Sequence, residues 1–234
     1  HKRPHPCIRI REQRVFKLMK PAESSDTGLA RIKAETLIES LDWLREFHGR
    51  TVVIKFGGNA MVDGALQKSF AEDMAYLRFV GIRPVVVHGG GPQITAKLAE
   101  LGLETEFKAG LRVTTKESIS VIRDVLRETV GAGLAGLIEL AGAEAKVLSG
   151  EDKALFLAEK TKVETPDGEV DLGLVGEVRS VNPRAVLDLI SVGKIPVISP
   201  VAPDVNGDLL NVNADLAAAS LAVALGAEKL IVLT

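Results

Sequence analysis

The chain has 234 residues, an apolar fraction of 46% and a formal net charge of −2 at pH 7. This composition describes a globular protein with a large core, in one domain or two tightly joined ones, and near-neutrality argues against a nucleic-acid surface, which shows as a basic excess. The lone Cys7 excludes an internal disulfide and fits a reducing compartment, and no apolar run approaches the ~18 residues that a membrane span needs.

Residues 1–32 open with the basic stretch KRPHPCIRIREQRVFKLMK, opposed only by Glu12, and pass into the loose PAESSDTG. They read as a disordered or cloning-derived arm, with a transit peptide as the alternative; localisation is accordingly cytoplasmic, or plastid or another organelle on the transit reading. Residues 33–50 carry an N-terminal helical extension: over 33–47, Leu37, Leu41 and Leu44 share one helical face with Ile38 beside them, while Trp43 and Phe47 fall on another side. So broad an apolar surface fits either a helix packed on two sides or an interface with another subunit.

From residue 51 onward, β-branched runs alternate with helical stretches. Strands are predicted at 51–56, 83–88, 143–148, 194–199 and 229–234, all continuous apolar runs of the kind that parallel strands show when both faces are covered. Helices are predicted at 65–80, 92–101, 116–140, 183–192 and 214–226. This alternation predicts an α/β fold, a three-layer αβα sandwich with a mainly parallel central sheet. The polar segments 105–114, 150–178 and 203–212 read as β-hairpin insertions at the sheet ends.

In such sheets ligands gather beyond the carboxyl ends of the strands, and the unusual residues fall at that edge. Lys55 interrupts a strand that should be buried and is followed by Gly57 and Gly58; a buried ammonium needs a counter-charge, which an anionic ligand would supply. Gly89, Gly90 and Gly91 stand between a strand and a helix opened by Pro92, where exposed backbone amides seat phosphate or carboxylate. Neither loop has the spacing of a Walker or dinucleotide motif. Arg112, in a polar hairpin, offers a rigid fork for a carboxylate, or is simply solvated. Asn213 is placed to cap the last helix with Asp215 in its first turn, and Asn211 lies outside that capping account. His88, at a strand end, reads as structural. No Ser/His/Asp arrangement and no zinc-type cluster stands out, and a lysine, glycine amides and an orienting aspartate are what phosphoryl transfer needs.

The segments VVIKFGGNAM, VVVHGGGPQI, FKAGLRVTT, LGLVGEVRSVNP, IPVISPVAPD and NVNADLAAASLAVALGAEKLIVLT, spread from about residue 34 to the last residue, resemble the amino acid kinase family. The resemblance implies transfer of the γ-phosphate of ATP to the side-chain carboxylate of N-acetyl-L-glutamate, a step of arginine biosynthesis, with Mg2+ carried by the nucleotide. It implies Lys55 and Asp215 as catalytic residues, Gly57, Gly58 and Gly89 near the ATP phosphates, and Gly90, Gly91, Arg112 and Asn211 on the acceptor. Residues 51–200 would then be the acetylglutamate-binding lobe and 201–234 the start of a nucleotide lobe whose remainder follows in longer relatives, so that the chain alone is expected to be nearly inactive. The segment RETVGAGLAGL departs from the family near Gly131 and Ala132, which puts local helix packing in doubt. The N-terminal helix resembles the one that joins dimers into hexamers in arginine-inhibited relatives, which implies a homo-oligomer and an arginine effector. Two alternatives stay open: another enzyme of the family, or a non-catalytic protein that binds acetylglutamate or partners with a nitrogen-signalling protein.

Overall fold

The computed structural model describes residues 27–108, 110–165 and 168–233; the basic stretch at 1–26 lies outside them. The chain divides into two compact units between Trp43 and Leu44. The first is carried by helix α1, Thr27–Phe47. It starts at Thr27 rather than 33, because Leu29 and Ile32 extend the apolar spacing and an Arg31–Glu35 pair at 2.9 Å supports the first turns.

The second unit is built on five parallel strands: β1 (Thr51–Phe56), β2 (Arg83–His88), β5 (Ala145–Ser149), β8 (Ile195–Ser199) and β11 (Lys229–Leu233), in the order β11-β1-β2-β8-β5. All five agree in position with the predicted strands to within two residues, but β11, at the sheet edge, is exposed along its length rather than covered on both faces. Alternate residues feed two cores. Val52, Ile54, Phe56, Val86, Ile195 and Val197 face helices α2 (Gly64–Phe79), α3 (Gly91–Glu100), α4 (Lys116–Asp124) and α5 (Ala132–Leu140). Val53, Val85, Val87 and Ile198 face α6 (Arg184–Ser191), α7 (Ala214–Leu225) and a second sheet. The layered α/β architecture with a mainly parallel centre is therefore the predicted one, and the helix starts follow local chemistry. Asp63 caps α2 through Ala65 and Leu66 N–H, Thr115 and Ser118 form a capping box on α4, and Asn213 caps α7 through Asp215 and Leu216 N–H at 2.8 and 3.2 Å.

The polar segments after residue 150 form hairpins as expected, β6 (Phe156–Thr165) with β7 (Gly168–Val181) and β9 (Val201–Pro203) with β10 (Leu209–Val212), and parallel pairing of β7 with β10 joins them into one four-stranded sheet. The β7–β10 ladder joins strands far apart in sequence, which no local turn signal encodes. One expectation is corrected. The helix expected over 116–140 is broken by a π-helical stretch, Val125–Gly131, in which Ala132 N–H reaches back to Arg127 C=O. The buried residues Leu126, Val130, Leu134 and Ile138 recur every fourth position, a spacing that a short stretch of ordinary helix also tolerates.

The small hairpin β3 (Phe107–Lys108) and β4 (Leu111–Arg112) is tied to β7 by Thr114 N–H to Leu172 C=O at 2.9 Å and Leu174 N–H to Thr114 C=O at 2.7 Å. This close approach requires Gly173, whose φ is +76° and whose missing Cβ would overlap the Thr114 carbonyl. Gly207 has a similar φ, +88°, with open space around its Cβ position. Gly207→Ala should therefore cost only the left-handed backbone strain, about 1–2 kcal/mol, and Gly173→Ala distinctly more, read as the difference between their denaturant-unfolding free energies.

Candidate active site

Parallel pairing puts the loops after β1 and β2 at the same sheet edge. Phe56 is in register with His88 and Lys55 with Val87, and Gly89 N–H donates to Phe56 C=O at 3.0 Å, joining the two loops directly. The lysine and both glycine segments thus converge as their sequence positions predict.

Lys55 is 6% exposed. By alternation its side chain shares the face of Val53, towards α7, and its Nζ lies 3.0 Å from Asp215 Oδ1 in the first turn of that helix. The counter-charge expected from a ligand is therefore present in the protein itself. Gly57 makes room for this pair: a Cβ there would stand 2.8 Å from Lys55 Cε and closer still to the amine. Gly58 turns the chain through a left-handed φ of +66° into a short 3-10 helix, Gly58–Met61.

The second glycine loop opens α3 with Gly90 as N-cap, no side-chain cap and Pro92 in the first turn. The N–H groups at such a helix start have no intrahelical acceptor. Gly90 is bare because a Cβ would lie 2.6 Å from Leu126 Cδ2 and 3.3 Å from Val130 Cγ2, both on the π-helical stretch. Gly89, Gly90 and Gly91 line a cavity of about 180 Å³ together with Arg112, Asn211, Asn213 and Ala214. Gly89 reaches it without its N–H, which Phe56 engages. A roomier cavity of about 370 Å³, lined by His48, Arg78, Arg83 and Lys194 among others, lies at the opposite, amino ends of the strands and away from these residues.

Arg112 is not a solvated hairpin residue: it is 7% exposed and built into the cavity wall. Nη2 donates to Gly91 C=O at 3.1 Å and to Thr95 Oγ1 at 2.8 Å, Nη1 donates to Thr105 Oγ1 at 3.3 Å, and the guanidinium lies 4.6 Å from the Phe107 ring centroid. Burial lowers its pKa from the ordinary value, yet a guanidinium stays charged near neutrality. Three bonds of five N–H groups leave two for a ligand among the described residues. Asn211 Nδ2 donates to Thr114 Oγ1 at 3.3 Å, which couples β10 to the Arg112 hairpin. The supporting residues Thr95, Thr105, Phe107 and Thr114 escape a reading of the sequence; the spacing of Thr95 four after Gly91, which puts both on one helix face, is the only local signal for them.

His88 is fully buried on the side of the helices, with Nδ1 2.9 Å from Gly89 O and Nε2 without a hydrogen-bond partner among the described residues. Burial pulls its pKa down from 6.5 to about 4, the Gly89 contact opposing it. Among the described residues no group of three or more His, Cys, Asp and Glu side chains could hold a metal, and no helix is long and apolar enough to cross a membrane.

The glycine loop before α3 and a buried guanidinium line one cavity, and a lysine held by an aspartate lies at the same carboxyl edge of the parallel sheet. The amino acid kinase family model matches residues 50–234, and the chain belongs to that family. Its curated relatives include the acetylglutamate kinase of Saccharopolyspora erythraea, 60% identical over 203 residues, which cover 86% of this chain and 67% of that protein. The chain spans about two thirds of the length of such relatives, 65% to 67% for the kinases from Saccharopolyspora, Nocardioides and Rhodococcus. Among solved structures, N-acetylglutamate synthase from Neisseria gonorrhoeae with coenzyme A and N-acetyl-glutamate is similar at TM-score 0.72 and 26% identity, covering 86% of this chain and 45% of that one. A Streptococcus mutans protein is similar at TM-score 0.68 and 31% identity, covering 79% and 72%.

Because the folded state keeps His88 neutral while the unfolded chain binds its proton below pH 6.5, the unfolded state is favoured as pH falls. The contribution is complete above pH 6.5 and lost on the way down to about 4, a change of roughly 3 kcal/mol from 1.36 kcal/mol per pKa unit. His88→Leu should remove this part of the slope, measured by denaturant unfolding between pH 7.5 and 4.5; parallel curves for the two proteins would refute it.

Proposed function

We propose that the protein is an acetylglutamate kinase, passing the γ-phosphoryl group of ATP to the side-chain carboxylate of N-acetyl-L-glutamate to give an acyl phosphate and ADP, in arginine biosynthesis. The observation that carries this is the shared sheet edge: the amides of Gly90 and Gly91 and the Arg112 fork in one cavity, with the Lys55–Asp215 pair reached by the same loops. Sequence identity of 54% to 60% to acetylglutamate kinases supports acetylglutamate as the acceptor.

The acceptor carboxylate, with an ordinary pKa of about 4.3, is ionised at neutral pH and attacks without a general base. What the site must supply is positioning and compensation of charge on the transferring group. In this reading the buried Arg112 guanidinium holds the α-carboxylate by its charge and one of the N–H groups left over from the protein, and Asn211 the acetamido end. Gly90 and Gly91 N–H meet the reacting carboxylate and the moving phosphoryl group, and Lys55 compensates its charge from the other side. Asp215 keeps the amine in place between turnovers. Gly57, Gly58 and Gly89 leave room for the ATP phosphates to approach the backbone, and Mg2+ enters with the nucleotide on its phosphate oxygens and water. Residues 51–200 serve the acceptor, and 201–234 belong to the nucleotide side.

The likeness to an acetylglutamate synthase bound to N-acetyl-glutamate favours one second reading, an acetylglutamate-binding protein without transfer activity. Calorimetric titration with acetylglutamate beside an acyl-phosphate assay separates them: binding and turnover support the kinase, binding without turnover in the complete gene product supports the second. In that gene product, Lys55→Ala should lower kcat by about 100-fold or more, the order seen when one charge-stabilising donor is removed, with the unfolding midpoint little changed. Arg112→Lys should raise the acceptor KM by about tenfold, because an ammonium cannot bond Gly91, Thr95, Thr105 and a ligand from one fixed plane, and leave KM for ATP unaltered. An active Lys55→Ala enzyme or an unchanged acceptor KM defeats the respective assignment.

We extend the proposal to a cytoplasmic homo-oligomer joined through residues 33–47 and open to arginine as effector. Leu37, Ile38 and Trp43 of α1 are 60% to 66% exposed, an apolar surface that a second copy of the helix would cover. Deleting residues 1–48 should reduce the assembly mass measured by light scattering, and an unchanged mass rejects the role of the helix.

A further inference from the structure

His88 stands at the end of β2 and precedes the glycine loop, yet its side chain does not enter the cavity. It turns the other way, under the sheet, into the layer occupied by the π-helical stretch. There a Cβ on Gly131 would come within 3.1 Å of Nε2, and Val147 lines the same space. No charged group contributes to the environment of the ring; burial and the Gly89 contact do.

The ring's protonation follows from its partners. A carbonyl oxygen can only accept, so the 2.9 Å contact between Nδ1 and Gly89 O requires the proton on Nδ1. With the ring neutral, Nε2 is then a bare acceptor, and it meets no donor among the described residues. An apolar side chain would fill this space without stranding an acceptor. The arrangement is intelligible if the Nδ1–H bond secures something the fold alone does not.

What it secures is a peptide plane. The carbonyl of Gly89 and the N–H of Gly90 belong to one trans peptide and point in opposite directions. Drawing the carbonyl down onto the His88 ring turns the Gly90 N–H upward, towards the cavity that Gly89, Gly90 and Gly91 line. That N–H donates to no acceptor among the described residues. Glycines on both sides of the bond leave its rotation nearly unrestricted by sterics, so without a fixing group the plane could flip and present a carbonyl to an anion. Leu126 and Val130 close over Gly90 from the π-helical stretch, and Gly131 at its end makes room for the ring.

We propose that His88 is a positioning residue: its Nδ1–H holds the Gly89 carbonyl so that the Gly90 N–H stays aimed into the anion cavity as a preset donor. This rests on the reading of that cavity as the acceptor site. The test compares His88→Asn, whose amide nitrogen can stand close to the position of Nδ1, with His88→Gln, which puts it near Nε2, and His88→Leu, which has no donor. In the complete gene product, acetylglutamate binding and steady-state kinetics should keep kcat/KM within about fivefold for the Asn variant. The Leu and Gln variants should lose about 30-fold or more, mainly in kcat, with the Leu variant unfolding no earlier than the parent at pH 7.5. A stable Leu variant with parental kinetics overturns the proposal, as does an Asn variant as impaired as Gln; should Leu fail to fold, the Asn and Gln pair decides. The ring itself is read without substrate from nitrogen-15 spectra of labelled histidine. Nδ1 protonated and Nε2 bare down to about pH 5 is the expected state, and a proton on Nε2 overturns the proposal. A parent enzyme that neither binds nor phosphorylates acetylglutamate would instead count against the acceptor reading, while the ring tautomer still decides the positioning claim.

Discussion

An ammonium group inside a sheet is tolerable only beside a counter-charge, and the contact between Lys55 and Asp215 at 3.0 Å meets that condition. The rest of the site is arranged around it. Asp215 is where it is because Asn213 caps α7 and starts the helix at that level. Lys55 can lie back onto the aspartate because Gly57 has no side chain to obstruct the amine. The strand that carries the lysine is paired in register with the strand that carries the second glycine loop, so the positive charge and the helix-start amides share one edge. Parallel pairing does what an antiparallel hairpin could not: it brings two strand ends, and the loops after them, to the same side.

The opposite wall depends on a guanidinium with most of its capacity already used. Arg112 bonds the start of α3 through Gly91 and Thr95, and the segment that leads into β3 through Thr105. A fork so committed loses little further conformational freedom when a carboxylate arrives, the usual benefit of preorganisation. The hairpin that presents it is held by backbone bonds at Thr114, and those bonds exist because Gly173 lets two main chains approach. Asn211 reaches the same threonine from β10, so the second sheet, the hairpin and the helix start are fastened to one another around the cavity.

The π-helical stretch gives this cavity its floor. Its wider turn sets Leu126 and Val130 against Gly90 and leaves Gly131 facing His88. The segment RETVGAGLAGL, expected to depart from the family pattern, packs beneath the glycine loop. Local pattern does not reveal its neighbour, because Gly131 and His88 are separated by α3, β3, β4 and α4. A histidine at a strand end is indistinguishable from a structural residue until its ring nitrogens have named partners.

Much of the architecture was legible in local pattern. Strands buried on both faces announce themselves as unbroken β-branched runs, caps such as Asp63 and Asn213 mark helix starts, and three adjacent glycines before Pro92 mark a backbone site. These signals are written within a few residues because steric and hydrogen-bond preferences act at that range. Which residues would meet across the fold is a property of packing: the joining of β7 to β10 into one sheet, the Arg112 partners on α3, the aspartate that neutralises Lys55 and the wall against which His88 leaves a nitrogen bare. The chain by itself determined the strands, the helix starts and the two glycine loops; the tertiary structure decided their partners, because pairing between elements distant in the chain depends on shape and register that no short stretch encodes.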